Sequence, residues 1–347
     1  PFIRTREFLW QEGHSAFETK AQADDEVLDI LDIYSRVYED LLAVPVIKGR
    51  KTEVEKFPGA DFTTTVETFI PETGRSIQGA TSHALGQNFG KIFKIEFEDE
   101  SRKKKIPFQN SWGLTTRSIG AMLMTHGDDK GAVLPPKVAR HQVVIVPIFT
   151  KRLLDSPALF RQHYMDLLNV LRKENLRAIV DERRNYNPGW KYNHWELKGV
   201  PLRVEFGPKD LERRKCVLVR RDDNSKAEID LHDAARKIGA ALEEIQKNLY
   251  RKASEKMDRC KREALHWSTF ENALKDKCFA EVPFCNEKDC EESVKERSHV
   301  ESDEKSVPTG SAKSLCVPFA QKKLPRDIKC FACDRKAVNW TLFGRSY

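Results

Sequence analysis

Apolar residues recur along this chain at two different periods, and each change of period marks a new part. From Asp24 to Ala43, the residues Val27, Ile30, Leu31, Tyr34, Tyr38, Leu41 and Leu42 fall on one helical face behind an acidic first turn. That spacing predicts an amphipathic helix packed on a sheet. From Pro45 to Phe97 the repeat shortens to alternation, predicting strands over Val44–Lys48, Phe62–Phe69, Ser76–Gly79 and Ile92–Phe97. Pro58-Gly59 and Thr73-Gly74 supply turns, so the pairing is expected to be antiparallel. Asp99 to Lys105 is a charged tip that reads as solvated loop. Ser111 to Arg117 then runs as a strand or turn into a helix marked by Ile119, Met122 and Leu123, and this strand is expected to be central in the sheet.

Beyond Lys137 strand and helix alternate. Strands are predicted over Gln142–Phe149, Leu176–Asp181, Leu202–Phe206 and Lys215–Arg220, with helices over Ala158–Glu174, Trp190–Lys198 and Glu228–Lys252. Such a sequence implies a mostly parallel sheet with helices on its faces. Arg251 to Lys277 continues helical, with Ser268 and Glu271 spaced as a capping box before Ala273 and Leu274. Asn286 to Ser311 is polar and reads as a loose loop, and Trp340–Phe343 is the last apolar segment. The fold class is therefore multidomain, α+β followed by α/β, with domains drawn at 1–140, 141–252 and 253–347.

A chain of 347 residues can bury a sizeable core in two or three domains. Its 60 basic and 53 acidic residues leave a net charge of +7, which suits an anionic partner without requiring one. The longest apolar run, Val143–Phe149, is interrupted by Pro147 and is too short to span a bilayer. No charged leader precedes an apolar stretch, so a cytoplasmic protein is expected. The chain opens on Pro1 in the middle of a motif, which is expected of a fragment or processed product.

Eight cysteines in this length point away from a disulfide scaffold and towards a reducing compartment with a metal site. Cys285-x4-Cys290 and Cys330-x2-Cys333, joined through a long excursion, suit a closed tetrahedral zinc site. Arg117 stands at a strand-to-helix junction, where free N–H groups favour anions and a guanidinium can grip phosphate. The same position also fits an arginine paired with a carboxylate in a buried junction. Arg4 precedes Phe8 by four residues, a cation ahead of a face on which a purine could stack.

Together these stretches resemble motifs 2 and 3 of class II aminoacyl-tRNA synthetases. The wording is similar to the eukaryotic-like prolyl-tRNA synthetases in Arg4-Thr-Arg-Glu-Phe-Leu-Trp-Gln-Glu-Gly-His14, Gln78-Gly-Ala-Thr-Ser-His83 and Gly113-Leu-Thr-Thr-Arg117. The likeness continues in Pro188-Gly-Trp-Lys-Tyr-Asn-His-Trp-Glu-Leu-Lys-Gly-Val-Pro201 and Phe343-Gly-Arg-Ser-Tyr347, so it spans nearly the whole chain. It implies a partial class II catalytic domain, an anticodon-binding domain and a small C-terminal zinc-binding domain whose tail folds back on the first.

The activity implied is proline–tRNA ligation: proline attacks the α-phosphate of ATP, and the prolyl group then passes to the 3′ end of tRNA(Pro). By the resemblance, Arg4, Thr5, Phe8, Gln78, Thr115 and Arg117 bind ATP, with Arg4 and Arg117 acting in catalysis. Trp10, Glu12, Phe57 and His83 would line the proline pocket, and His14 would stand behind it. Asp181, Arg183, Arg184 and Lys191 lie near strand ends where they could meet tRNA. Mg2+ would accompany ATP without committed protein ligands, and Zn2+ would be structural. In the family the last cysteine pair often stands closer together, which makes Cys333 the least secure ligand and Cys316 its substitute.

The family's other motif 2 arginine, motif 1 at its homodimer interface and a Thr-x-Glu loop lie upstream of Arg4. The stretch from Phe17 to Asn110 leaves no room for an inserted editing domain. A fused glutamyl–prolyl enzyme within a multi-synthetase complex is one expected setting. The alternative reading is a non-catalytic, synthetase-like RNA-binding or regulatory protein.

Overall fold

The computed structural model describes residues 3–149, 157–301 and 309–347. In chain order, β1 (Trp10–Phe17) leads to α1 (Lys20–Arg36), which Thr19 caps by accepting the Gln22 N–H. A π-helical turn, Val37–Leu41, continues α1. The predicted helix thus begins earlier and changes winding before its expected end. β2 (Ile47–Arg50), β3 (Phe62–Ile70) and β4 (Arg75–Gly86) follow.

The strand expected at Ile92–Phe97 does not form as such: Ile92 and Phe93 close the short helix α2 (Asn88–Phe93), and residues 94–96 are a turn and irregular chain. Phe89 and Phe93, four apart, stack with centroids 6.3 Å apart, and Lys94 ends the helix in the left-handed region at φ 56°. Only β5 (Phe97–Glu98) remains of that strand, and it forms a two-stranded ribbon with β6 (Lys104–Lys105) around the charged tip. β7 (Phe108–Thr115) then delivers the chain to α3 (Arg117–His126).

β8 (Val143–Pro147), α4 (Pro157–Lys173), β9 (Ala178–Val180), α5 (Pro188–Leu197), β10 (Leu202–Phe206), α6 (Pro208–Glu212) and β11 (Lys215–Arg220) come next. The helix expected from Glu228 begins later, because Lys226–Asp230 is β12, paired antiparallel with β11; α7 spans Ala234–Cys260. Nor does α7 run on to Lys277. β13 (Lys261–Glu263) interrupts it, and α8 (Trp267–Lys275) starts at His266, whose N–H donates to Thr269 Oγ1 at 3.3 Å; Ser268 lies inside the helix and caps nothing. After β14 (Phe279–Phe284), the predicted loose loop contains α9 (Lys288–Arg297), which buries Cys290, Glu291 and Val294. A short helix with three buried positions carries little apolar signal, and residues 302–308 of that loop lie outside the described residues. β15 (Lys313–Pro318) and β16 (Asn339–Gly344) complete the order.

The chain divides into two compact units, one of residues 1–40, 44–121 and 254–347, the other of 41–43 and 122–253. In the first, a nine-stranded sheet runs β1-β7-β4-β3-β2-β15-β16-β14-β13, so the strands of residues 253–347 extend the sheet begun by residues 10–115. β7 is second from the β1 edge rather than central. The seam is polar. Lys51 Nζ lies 2.7 Å from both Glu67 Oε1 and the Leu315 carbonyl oxygen, and Thr52 and Ser314 both donate to buried Glu291. Further along, Phe270 meets Phe331 and Phe284 meets Phe343 edge to face in an apolar cluster.

In the second unit the sheet order is β12-β11-β10-β8-β9. β8 is parallel to β9 and β10, but β11 and β12 are antiparallel, so the sheet is mixed where a mostly parallel one was expected. The short β10–β11 and β11–β12 connections leave room for hairpins and not for crossover helices. Among the described residues no helix is long and apolar enough to cross a membrane.

Candidate active site and cysteine centre

Alternation along β1 puts Trp10, Glu12 and His14 on one face and Gln11 on the other, where its amide oxygen accepts the Tyr34 hydroxyl at 2.6 Å. β1 pairs antiparallel with β7, Trp10 opposite Thr115 and Glu12 opposite Gly113. Two clefts lie along this pair.

The first, about 480 Å³, is lined by Ile3, Arg4, Thr5, Glu7, Phe8, Thr115, Thr116, Arg117 and Ile119. Arg117 is half-buried and donates from Nε to the Ile3 oxygen at 2.9 Å and from Nη1 to the Gln78 oxygen at 3.4 Å. Burial, then the positive charge of Arg4, pull its pKa down, so the site would favour an added anion. No carboxylate pairs with Arg117 among the described ion pairs; its partners are carbonyl oxygens. Arg4 donates from Nη2 to the Tyr347 main-chain oxygen at 2.6 Å, while Phe8 is 52% exposed and leaves a face free for stacking. Of the predicted nucleotide set, Gln78 alone contributes no lining side chain and touches Arg117 only through its main chain.

The second cleft, about 430 Å³, brings together Trp10, Glu12, Phe57 and His83 with His14, Thr81, Phe89, Phe93 and Trp112 among its walls. The Phe57 and His83 rings lie 4.9 Å apart. His83 Nδ1 is 2.9 Å from Thr63 Oγ1 and Nε2 is 3.0 Å from Thr81 Oγ1. Thr63 also accepts the Phe57 N–H at 3.0 Å. The pattern that uses each donor once has Thr63 donating to Nδ1 and Nε2 donating to Thr81. Burial pushes His83 down to about 4, so the imidazole is neutral near pH 7 and adds no positive charge to the pocket. His14 Nε2 stands 3.2 Å from Glu12 Oε1, placing it in the wall itself. Thr63 and Thr81 were missed from the sequence, although Thr81 stands two residues before His83 on β4, the spacing that shares a sheet face. Of the apolar wall from α2, Phe93 lies in a stretch that reads as strand and Phe89 in none of the predicted elements.

At the end of β9 the four candidate tRNA residues divide. Asp181 is buried and is held by Arg183 at 2.8 and 2.6 Å and by Trp195 Nε1 at 2.9 Å, while buried Lys191 donates to its carbonyl oxygen at 2.9 Å. Burial would raise Asp181, but the bonds from Arg183 and Trp195 hold it down at about 2. Arg183, its guanidinium turned back onto Asp181, lies over the stacked Tyr186 and Trp190 rings, whereas exposed Arg184 lies over Phe149.

Cys285 at the end of β14, Cys290 on α9 and Cys330 and Cys333 before β16 gather with all four Sγ atoms within 4.8 Å of one another. The Cys290–Cys330 and Cys285–Cys333 separations are both 3.8 Å. Four sulfurs about 2.3 Å from a tetrahedral zinc would stand roughly 3.8 Å apart, so the donor set fits that ion. Cys333 is in the cluster. Cys316 is fully buried elsewhere, among Phe69, Phe279, Leu315 and Leu342, and is not a substitute ligand.

Comparison with known proteins agrees with this layout. Residues 1–126 match the tRNA synthetase class II core domain of the G, H, P, S and T type, 142–241 the anticodon binding domain, and 267–347 the C-terminal domain of prolyl-tRNA synthetase. A "Proline–tRNA ligase" of Encephalitozoon cuniculi is 44% identical over all of this chain, which covers 70% of that relative. The chain belongs to the prolyl-tRNA synthetase family. "Proline–tRNA ligase, cytoplasmic" of Arabidopsis thaliana is 50% identical over the whole chain and 64% of its own length. "Bifunctional glutamate/proline–tRNA ligase" of Drosophila melanogaster is 50% identical, with 21% of its length covered. The chain therefore spans only part of the curated relatives it matches.

Proposed function

We propose that this chain carries the larger part of a proline–tRNA ligase site, using ATP to activate proline and passing it to tRNA(Pro). The observation that carries the reading is that one short stretch of chain, residues 3–14, lines both clefts. Arg4 and Phe8, ahead of β1, line the first with Arg117, and Trp10, Glu12 and His14, on β1, line the second. Two substrates seated on adjoining parts of one segment have their reacting atoms brought together, which is the main catalytic requirement of adenylate formation.

In this reading Arg4 and Arg117 hold the terminal phosphates, Phe8 stacks on adenine, and Thr5, Thr115 and the Gln78 main chain fix the nucleotide's surroundings. Trp10 and Phe57 clasp the pyrrolidine ring, Glu12 offers a carboxylate to its cationic amine, and neutral His83 completes the pocket without repelling that charge. The arginines also take up charge that develops on the departing pyrophosphate. Mg2+ bound with ATP supplies further neutralisation and is held by phosphate oxygens and water.

Zn2+ in the four-cysteine cluster is structural, with no open position for a substrate. Arg183 and Arg184, set by buried Asp181 and Lys191, contact the tRNA anticodon stem-loop. A cytoplasmic homodimer, alone or within a larger synthetase complex, is the setting we propose for the whole protein.

Proline-dependent ATP–pyrophosphate exchange tests the reading, measured on this chain and on the polypeptide extended upstream. Exchange in either is the expected result. None in either, with both folded and both binding RNA, would instead favour a non-catalytic RNA-binding role.

A further inference from the structure

Tyr38 is fully buried, yet it sits on the π-helical turn and not within the regular part of α1. Single π turns often occur where a helix must re-aim a residue for function. Its hydroxyl donates to the Gly79 carbonyl oxygen at 3.1 Å. Gly79 is the extra residue of a β-bulge: Val66 pairs with Ala80 and Glu67 with Gln78, leaving Gly79 unmatched on β3. The Tyr38 ring occupies the space of the missing side chain, since a Cβ at Gly79 would approach its Cζ to 2.8 Å. The next carbonyl back along β4, that of Gln78, accepts from Arg117 Nη1.

We infer that Tyr38 is a positioning residue for Arg117, holding the Gly79 bulge so that the Gln78 carbonyl orients the guanidinium towards bound phosphate. The inference rests on the reading of Arg117 as a phosphate-binding side chain. The geometry has three linked parts. A bulge interrupts the β3–β4 register, the carbonyl at the bulge accepts a buried hydroxyl, and the bulge's neighbour touches the arginine. Burial raises the Tyr38 phenol well above its ordinary range, so it remains a neutral donor at every pH at which the protein would work.

Titration calorimetry with magnesium and ATP, on the intact gene product, separates these roles in four proteins: parent, Tyr38→Phe, Arg117→Ala and the double variant. Tyr38→Phe is expected to weaken ATP about fivefold, the scale of one neutral hydrogen bond, with proline affinity unchanged. In the Arg117→Ala background the same change should cost no more than about 1.5-fold, because residues acting through one another are not additive. If Arg117→Ala binds too weakly to titrate, Arg117→Lys takes its place. Gly79→Ala, which drives a methyl into the Tyr38 ring, should reproduce the loss of ATP affinity. An equal loss with and without Arg117, or no loss in Tyr38→Phe, overturns the inference while leaving the activity reading intact. A parent that binds no ATP overturns both.

Discussion

Arg117 donates to carbonyl oxygens, and burial and Arg4 lower its pKa by more than Tyr38 and Glu67 raise it, an arrangement that favours an added anion. Arg117→Ala should therefore lower proline-dependent pyrophosphate exchange by about a hundredfold or more, on the scale of removing one preorganised transition-state contact. Its melting temperature should stay near that of the parent, and exchange within twofold of the parent would remove the assignment. His83 gives a pH signature. It titrates at about 4 in the folded chain against 6.5 in the open one, so the unfolded state takes up its proton first as pH falls. Stability relative to His83→Gln is fully present above pH 6.5 and should decline by on the order of 2 kcal/mol as pH falls to 4, read from urea unfolding at a series of pH values. The sequence named Arg117 because a lone arginine at a strand–helix junction is legible from periodicity, and it named His83 through a motif. It could not show that Thr63 and Thr81 clamp His83, since Thr63 comes from another strand and only register brings it there.

Among the elements, β3, β10 and β11 lie where their apolar stretches put them, and β3 and β10 are buried along nearly their whole length. The misreadings share a cause, which is a short element stabilised by something other than its own period. α2 is held by stacked phenylalanines and a left-handed cap, α9 by three buried positions, and β12 by a hairpin partner. The β2–β3–β15 seam is the element-scale feature least visible in sequence, because its buried lysine and glutamate look like surface charges. Lys51→Ala should cost about 3 kcal/mol in chemical denaturation by leaving Glu67 buried and unpaired. The double change Lys51→Met with Glu67→Leu should recover much of that loss, since an apolar pair of similar size avoids the desolvation cost. Conversely, residues inserted at the Asp99–Lys105 ribbon, which is exposed at its tip, should leave the melting temperature almost unchanged.

At the scale of the molecule, the four cysteines tie β14, α9 and the approach to β16, so removal of a bound zinc should loosen residues 278–347 before the rest. Hydrogen exchange with and without a strong chelator checks this, and metal analysis of the pure protein should return about one zinc per chain. The sequence reading draws a boundary at residue 253, after the helix predicted over Glu228–Lys252. It could not show that the strands beyond that boundary rejoin a sheet begun near residue 10, since strand pairing at such separation leaves no mark on local pattern. That pairing also sets a condition on how the protein is made. Lys51 beside β2 meets its β15 partner 264 positions later, a stretch that takes a ribosome roughly 10–50 s to translate. Throughout that interval the nascent β2 offers an open edge and an unsatisfied lysine, so chaperone engagement should be strongest on chains stalled before residue 313 and should fall away once β15 has emerged.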